Sequence, residues 1–169
     1  MKQLNRFLLR AVTIPTVALF GLFGSQTVMA APYIVQASTV SFGDKIVPTT
    51  GACDMDHNTS ALTNTSGMIC GAASGSRGHY RVFATPNTTV RIVVRPHNDN
   101  GNGAVFNPVG EIQSDAAGPI AYIEHNTTNI NSGASGIVEI YVGGTLTLLT
   151  KPPTSTTFNL DFEIDFSEI

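Results

Sequence analysis

Asp54, Asp56 and Asn58 stand at alternate positions directly after Cys53, the spacing with which the oxygen ligands of an EF-hand calcium loop begin. Such a loop also needs glycine at its sixth position for the sharp turn and a bidentate glutamate at its twelfth. Thr59 and Thr65 occupy those positions, so the segment reads as a solvated turn. The four histidines, His57, His79, His97 and His125, form no H-x-H or H-x-x-x-H pair. Zinc would require Asp56-His57, His97-x-Asp99 and Glu124-His125 to converge in space, and surface loop histidines are the expectation. No serine sits in a G-x-S-x-G elbow, and Gly71 to Gly78 lacks the lysine of a phosphate-cradling loop. Asp161, Glu163 and Asp165 lie in a row on one strand face, whereas a glycosidase places its acid and nucleophile across a cleft. No catalytic residue, metal or cofactor is expected, and the chain is read as a non-enzyme.

Cys53 and Cys70 are the only cysteines, seventeen residues apart. In an exported chain an even pair reads as a disulfide, and the close C-x-x-C spacing of a redox or metal site is missing. Export is expected from residues 1–30. Lys2, Arg6 and Arg10 make a positive n-region, Ala11 to Phe23 is an apolar run, and Val28-Met29-Ala30 ends in small residues where a signal peptidase cleaves. The apolar run is short for a bilayer span, and no later stretch reaches that length. Removing 30 of 169 residues leaves 139, one domain with a real core, expected over residues 31–169. Six basic residues then face twelve acidic ones, a net charge of −6. That sign disfavours nucleic acid and anionic membranes as partners. Four N-x-S/T sequons, at Asn58, Asn64, Asn87 and Asn126, mark polar loops.

The element that must be positioned by everything else is the end of the chain. Phe158, Leu160, Phe162, Ile164 and Phe166 alternate with Asn159, Asp161, Glu163, Asp165 and Ser167. Period two means a strand from Phe158 to Glu168 with one apolar and one acidic face, and a second sheet must cover the apolar one. Upstream, Tyr33-Ile34-Val35 and Val40-Ser41-Phe42 are short extended pieces, and Pro48 to Cys53 reads as a turn. Cys53 to Cys70 reads as a loop or weak hairpin stapled at both ends. His79 to Ala84 and Thr89 to Arg95 alternate clearly, with Val90, Ile92 and Val94 on one face and Arg91, Val93 and Arg95 on the other. His97 to Gly103 is a turn. Ala104 to Ile112 and Ile120 to Glu124 are shorter strands, and Asn126 to Gly136 is a polar loop. Ile137 to Val142 is a strand bent at Gly143-Gly144, and Thr145 to Leu149 continues as another. Seven or more short strands without an amphipathic helix predict an all-β fold: an Ig-like antiparallel β-sandwich with one disulfide, with a jelly roll or small barrel as the structural alternative.

Phe42-Gly43, Ile46-Val47-Pro48 and the run Tyr141-Val142-Gly143-Gly144-Thr145-Leu146-Thr147-Leu148 resemble the DUF4402 family over nearly the whole mature chain, in the same order. The chain departs from the family before its last strand, where Ser155-Thr156-Thr157 stands in place of a Tyr-x-Gly turn. The resemblance implies a small exported bacterial protein of Ig-like sandwich fold, fimbria-like or surface-associated, with no catalytic residues to carry over.

The function expected is a secreted structural subunit or adhesin-like component of a bacterial cell-surface fibre (fimbria or pilus), passing through the periplasm to the cell surface. The residues expected to carry assembly are Phe158, Leu160, Phe162, Ile164 and Phe166. The partners expected are a periplasmic chaperone and like subunits, paired through that C-terminal strand. Fibre subunits of the chaperone–usher kind carry a penultimate tyrosine, and this chain ends Ser167-Glu168-Ile169 instead. The alternative is a monomeric secreted module binding a ligand such as surface carbohydrate. It would need an exposed aromatic platform in a chain with no tryptophan and four tyrosines.

Overall fold

A computed structural model of the chain describes residues 31–43, 46–97, 103–122, 125–153 and 160–169. The expected signal peptide, most of the turn after His97, Ser155-Thr156-Thr157 and Phe158 lie outside the described residues. Ten strands follow in order: β1 (Tyr33–Ser38), β2 (Gly51–Met55), β3 (Leu62–Ser66), β4 (Gly78–Phe83), β5 (Thr89–Pro96), β6 (Ala104–Ser114), β7 (Ile120–Tyr122), β8 (Thr127–Asn131), β9 (Ile137–Leu148) and β10 (Phe162–Glu168). All pairings are antiparallel, and no helix occurs among the described residues. The fold is an all-β sandwich of a seven-stranded and a three-stranded sheet.

The twelve-residue β9 is the spine of the larger sheet. Along one side it pairs with β6 from Ala104↔Leu148 to Ser114↔Val138, and β7 lies beyond β6. On its other side β4 pairs with Ile137 to Val142 and β2 with Gly144 to Leu148. β1 extends the sheet beyond β4, and β3 extends it beyond β2. The smaller sheet runs β10-β5-β8.

Four expectations about the strands are corrected. Gly143-Gly144 does not break β9 in two, because the strand is continuous through it. The glycines serve close approach: a Cβ at Gly143 would sit 2.4 Å from the Met55 carbonyl oxygen, and one at Gly144, where φ is +126°, 2.1 Å from that of Asn107. Three backbones meet there as β4 gives way to β2 along β9. Asn126 to Gly136 is not all loop, since Thr127–Asn131 is β8. Its single inward apolar residue, Ile130, opposite Val90, is too little to show a period. Pro48 to Cys53 is not all turn, because β2 starts at Gly51 and makes the region to β3 a hairpin. Val40-Ser41-Phe42 contributes one isolated bridge, Ser41 to Ser76, rather than a strand.

Alternation decides which side chains fill the space between the sheets. Val82, Val138, Ile140, Val142, Phe106 and Ile112 of the larger sheet are fully buried, as are Val90, Ile92 and Val94 on the inward face of β5 and Ile130 of β8. Each such side chain contributes about 1.5–3 kcal/mol by leaving water. Cys53 and Cys70 are disulfide-bonded with Cα atoms 5.5 Å apart, and no free cysteine occurs among the described residues. The bridge ties the segment after β3 onto the inward face of β2. There the Cys70 N–H also donates to Asn64 Oδ1 at 2.8 Å. Closing a loop of seventeen residues removes roughly 3 kcal/mol of unfolded-chain freedom.

Candidate functional site

β10 is the edge of the smaller sheet. It pairs with β5 from Phe162↔Pro96 to Glu168↔Val90, and no described strand pairs with its other side. Phe162, Ile164 and Phe166 face inward, and Leu160 precedes them on the same side; all four are partly buried and packed against the core. The strand is therefore seated as its period requires, but at a margin where the core is still open to solvent. It begins at Phe162, so the expected start at Phe158 is early by at least the two described non-strand residues Leu160 and Asp161.

The larger sheet ends on the same side of the sandwich with β1. Between the two margins lies an opening of about 270 Å³ lined by Ile34, Gln36, Tyr80, Phe162 and Ile164. Phe162 meets Tyr80 edge-on with ring centroids 5.6 Å apart, and Phe106 at 5.9 Å. Gln36 Nε2 donates to the Tyr80 hydroxyl at 3.3 Å. Behind this wall sits Tyr122, whose buried hydroxyl has no partner among the described residues. Gly110 and Gly78 make room for the two tyrosines: a Cβ at Gly110 would lie 2.9 Å from the Tyr122 ring, and one at Gly78 2.9 Å from the Tyr80 ring. Burial pushes both phenols above their ordinary value. The Gln36 hydrogen bond partly offsets this at Tyr80, and the nearness of Tyr80 adds to it at Tyr122. Chemically the opening offers apolar contact, one amide and one phenol, beside a strand edge that no other described strand pairs with. That combination suits an extended chain laid along β10.

The acidic face of β10 points away from the opening. Arg95, directly opposite Glu163 on β5, reaches Asp165 and lies 3.6 Å from Glu163, so part of the expected acidic row is neutralised across the strands. Glu168, on the inward side, accepts a hydrogen bond from the Thr85 N–H and ties the end of β10 to the turn before β5.

The remaining candidates fall elsewhere. Asp54 accepts a hydrogen bond from Thr145 Oγ1 at 2.8 Å. Asp56 Oδ1 accepts from the N–H groups of Thr59 and Asn58, which hold its carboxyl below the usual carboxylate range. The four histidines are not brought together, and no group of three or more metal-ligating side chains occurs among the described residues. His79 is not a loop histidine. It lies on β4, opposite Tyr141, with its ring stacked 4.7 Å from that of Tyr141 and its Nε2 against Glu139. Arg81 Nε approaches the other Glu139 oxygen at 3.1 Å, and the Arg77 guanidinium lies 4.3 Å over the Tyr141 ring. This network on the outer face of the larger sheet was missed from sequence. Alternation gives the outward side of each strand, but only the β4–β9 register brings Arg81 opposite Glu139. His57 lies 3.7 Å from Glu111 on the same face.

Compared with known proteins, the chain matches no family model, no curated protein and no solved structure.

Proposed function

We propose that the protein is a secreted, non-catalytic structural subunit or adhesin-like component of a bacterial cell-surface fibre, joined to its neighbours through the margin formed by β10. One observation carries this reading: the amphipathic C-terminal strand is an edge strand, with no described strand along its outer side, next to an apolar opening lined by Ile34, Tyr80, Phe162 and Ile164. An extended segment of a like subunit or of a periplasmic chaperone would add backbone hydrogen bonds to β10 and bury alternate side chains in the opening. The signal-like N-terminus and the resemblance to the DUF4402 family support export and a surface role. The carbohydrate-module alternative is less favoured, because the Tyr141 ring is occupied by His79 and Arg77, and Tyr33 stacks on Phe83 at 4.8 Å.

The test is electron microscopy and size-exclusion chromatography of the exported protein beside an Ile164→Lys variant. Polymers or a chaperone complex in the wild type, lost in Ile164→Lys while its circular dichroism stays β-rich, support the proposal. A wild type that remains monomeric at all concentrations and captures no partner refutes it.

A further inference from the structure

One of the four N-x-S/T sequons carries an extra group. Asp56-His57-Asn58-Thr59-Ser60 sets an acid two residues before the asparagine and a hydroxyl two residues after it. Leu62 and Thr85 stand where that acid would precede Asn64 and Asn87. The sequence repeats the pattern at Glu124-His125-Asn126-Thr127-Thr128, where Glu124 lies outside the described residues. A sequon asks for a surface loop, and an acid at this position is the further requirement of the acid-reading bacterial class of oligosaccharyl transferase.

The turn between β2 and β3 displays these groups. Asp56 and Asn58 are both exposed. Asp56 Oδ1 accepts from the N–H groups of Thr59 at 3.0 Å and Asn58 at 2.6 Å, which curls residues 56–59 together. The same two bonds hold its carboxyl below the usual carboxylate range, so it presents a negative charge at neutral pH. The Arg77 guanidinium donates to the carbonyl oxygens of His57 at 2.8 Å and Asn58 at 3.0 Å, so the turn is gripped by its main chain. The Asn58 amide nitrogen lies 3.2 Å from the His57 ring on the exposed side. Ser60 Oγ accepts from the Arg77 N–H at 3.2 Å, which leaves its own proton to give. Asn64 is placed differently: it lies within β3, paired to β2, and its Oδ1 accepts from the Cys70 N–H.

We propose that Asn58 is a glycosylation site of the folded protein, accepting an oligosaccharide from a polyisoprenyl-pyrophosphate carrier, with Asp56 as the acid the transferase reads. Asn58 Nδ2 bonds to the anomeric carbon of the sugar. The bond from that carbon to the pyrophosphate oxygen breaks, the lipid pyrophosphate leaves with the electron pair, and one Nδ2 proton passes to a carboxylate of the transferase. Such transferases act on the exported side of the membrane, so the proposal rests on the export part of the function proposed above and not on fibre assembly. The two are compatible in space. His57 lies beside Glu111 on the outer face of the larger sheet, so a glycan on this turn leaves the β10 edge of the smaller sheet clear.

The test is transfer to the purified, disulfide-bonded protein by an acid-requiring bacterial oligosaccharyl transferase supplied with lipid-linked oligosaccharide, read by intact mass and glycopeptide sequencing. Because the protein is already purified, the result does not depend on whether the chain is exported or forms fibres. The wild type should gain a glycan on the peptide that contains Asn58. Asn58→Gln should lose that glycan and keep the wild-type melting temperature, the side chain being exposed. Asp56→Asn retains an oxygen that can accept from both N–H groups but has no charge, and should lose transfer. Asp56→Glu restores the charge and should restore transfer. This pair separates reading of the acid from its part in shaping the turn. An unmodified wild type, in a reaction that glycosylates a short Asp-x-Asn-x-Thr peptide, overturns the proposal. So do transfer only to the reduced, unfolded chain, transfer confined to Asn64, Asn87 or Asn126, and undiminished transfer to Asp56→Asn.

Discussion

Truncating Phe162 to alanine isolates the contribution of the β10 margin to the fold. In a closed core the loss would be about 3–5 kcal/mol. Phe162 is only partly buried, which lowers the transfer and cavity loss to about 2 kcal/mol. Its ring also meets Tyr80 at 5.6 Å and Phe106 at 5.9 Å, and such pairs add about 0.5–1.5 kcal/mol each beyond area. The expected destabilisation is therefore about 3 kcal/mol, or a melting temperature lower by about 10 °C for a domain of this size. Urea unfolding followed by circular dichroism reads it directly, with an unchanged m-value showing that the denatured state is the same. Glu163→Gln, one residue away on the opposite face, removes an exposed partner of Arg95 and should fall within about 0.5 kcal/mol of wild type. Phe162→Asp should prevent stable accumulation, because it adds a charge to the lost ring. A loss below about 1 kcal/mol for Phe162→Ala, or an equal loss for Glu163→Gln, would refute the seating of this strand on the core.

Cys70→Ser should cost about 2–5 kcal/mol, and mass spectrometry of the unreduced wild type should find no free thiol, in keeping with the bonded pair. Tyr122→Phe should stabilise the protein by about 1 kcal/mol, since it removes a buried hydroxyl that has no partner among the described residues. Both phenols, Tyr122 buried and Tyr80 partly so, have raised folded-state values, so below about pH 10 folded and unfolded chains alike keep the proton and these groups cost no stability. Above that the unfolded chain ionises first and stability falls as pH rises; a urea midpoint series from pH 8 to pH 11 should show the fall, smaller in Tyr122→Phe. Gly143→Ala should lower the melting temperature by many degrees, because its Cβ would lie 2.4 Å from the Met55 carbonyl oxygen and 2.8 Å from the His57 nitrogen. Wild-type melting as the outcome would show that the three backbones do not converge there.

What could be read from the residues was whatever alternation and spacing carry locally. Val90, Ile92 and Val94 announce the inward face of β5, Phe162, Ile164 and Phe166 that of β10, and the even pair of cysteines announces the bridge. What escaped depends on partners distant in sequence. β8 carries one inward apolar residue and exists because β5 offers it an edge. Gly143-Gly144 looks like a break until Met55 and Asn107 are brought against it. The candidate site divides the same way. Its apolar row was legible in the last strand, but its position at a margin follows from the strand order β10-β5-β8 and from β1 ending the opposite sheet. Neither is encoded within either segment alone.

In the proposed role this sandwich is a building unit whose margin at β10 is used for association. Sedimentation velocity of the purified wild-type protein, from about 1 μM upward, is the decisive measurement. Association through that margin gives species heavier than one chain that grow with concentration, as β10 receives a neighbour's strand. A single sharp boundary at one-chain mass throughout, with no added partner retained, would contradict it.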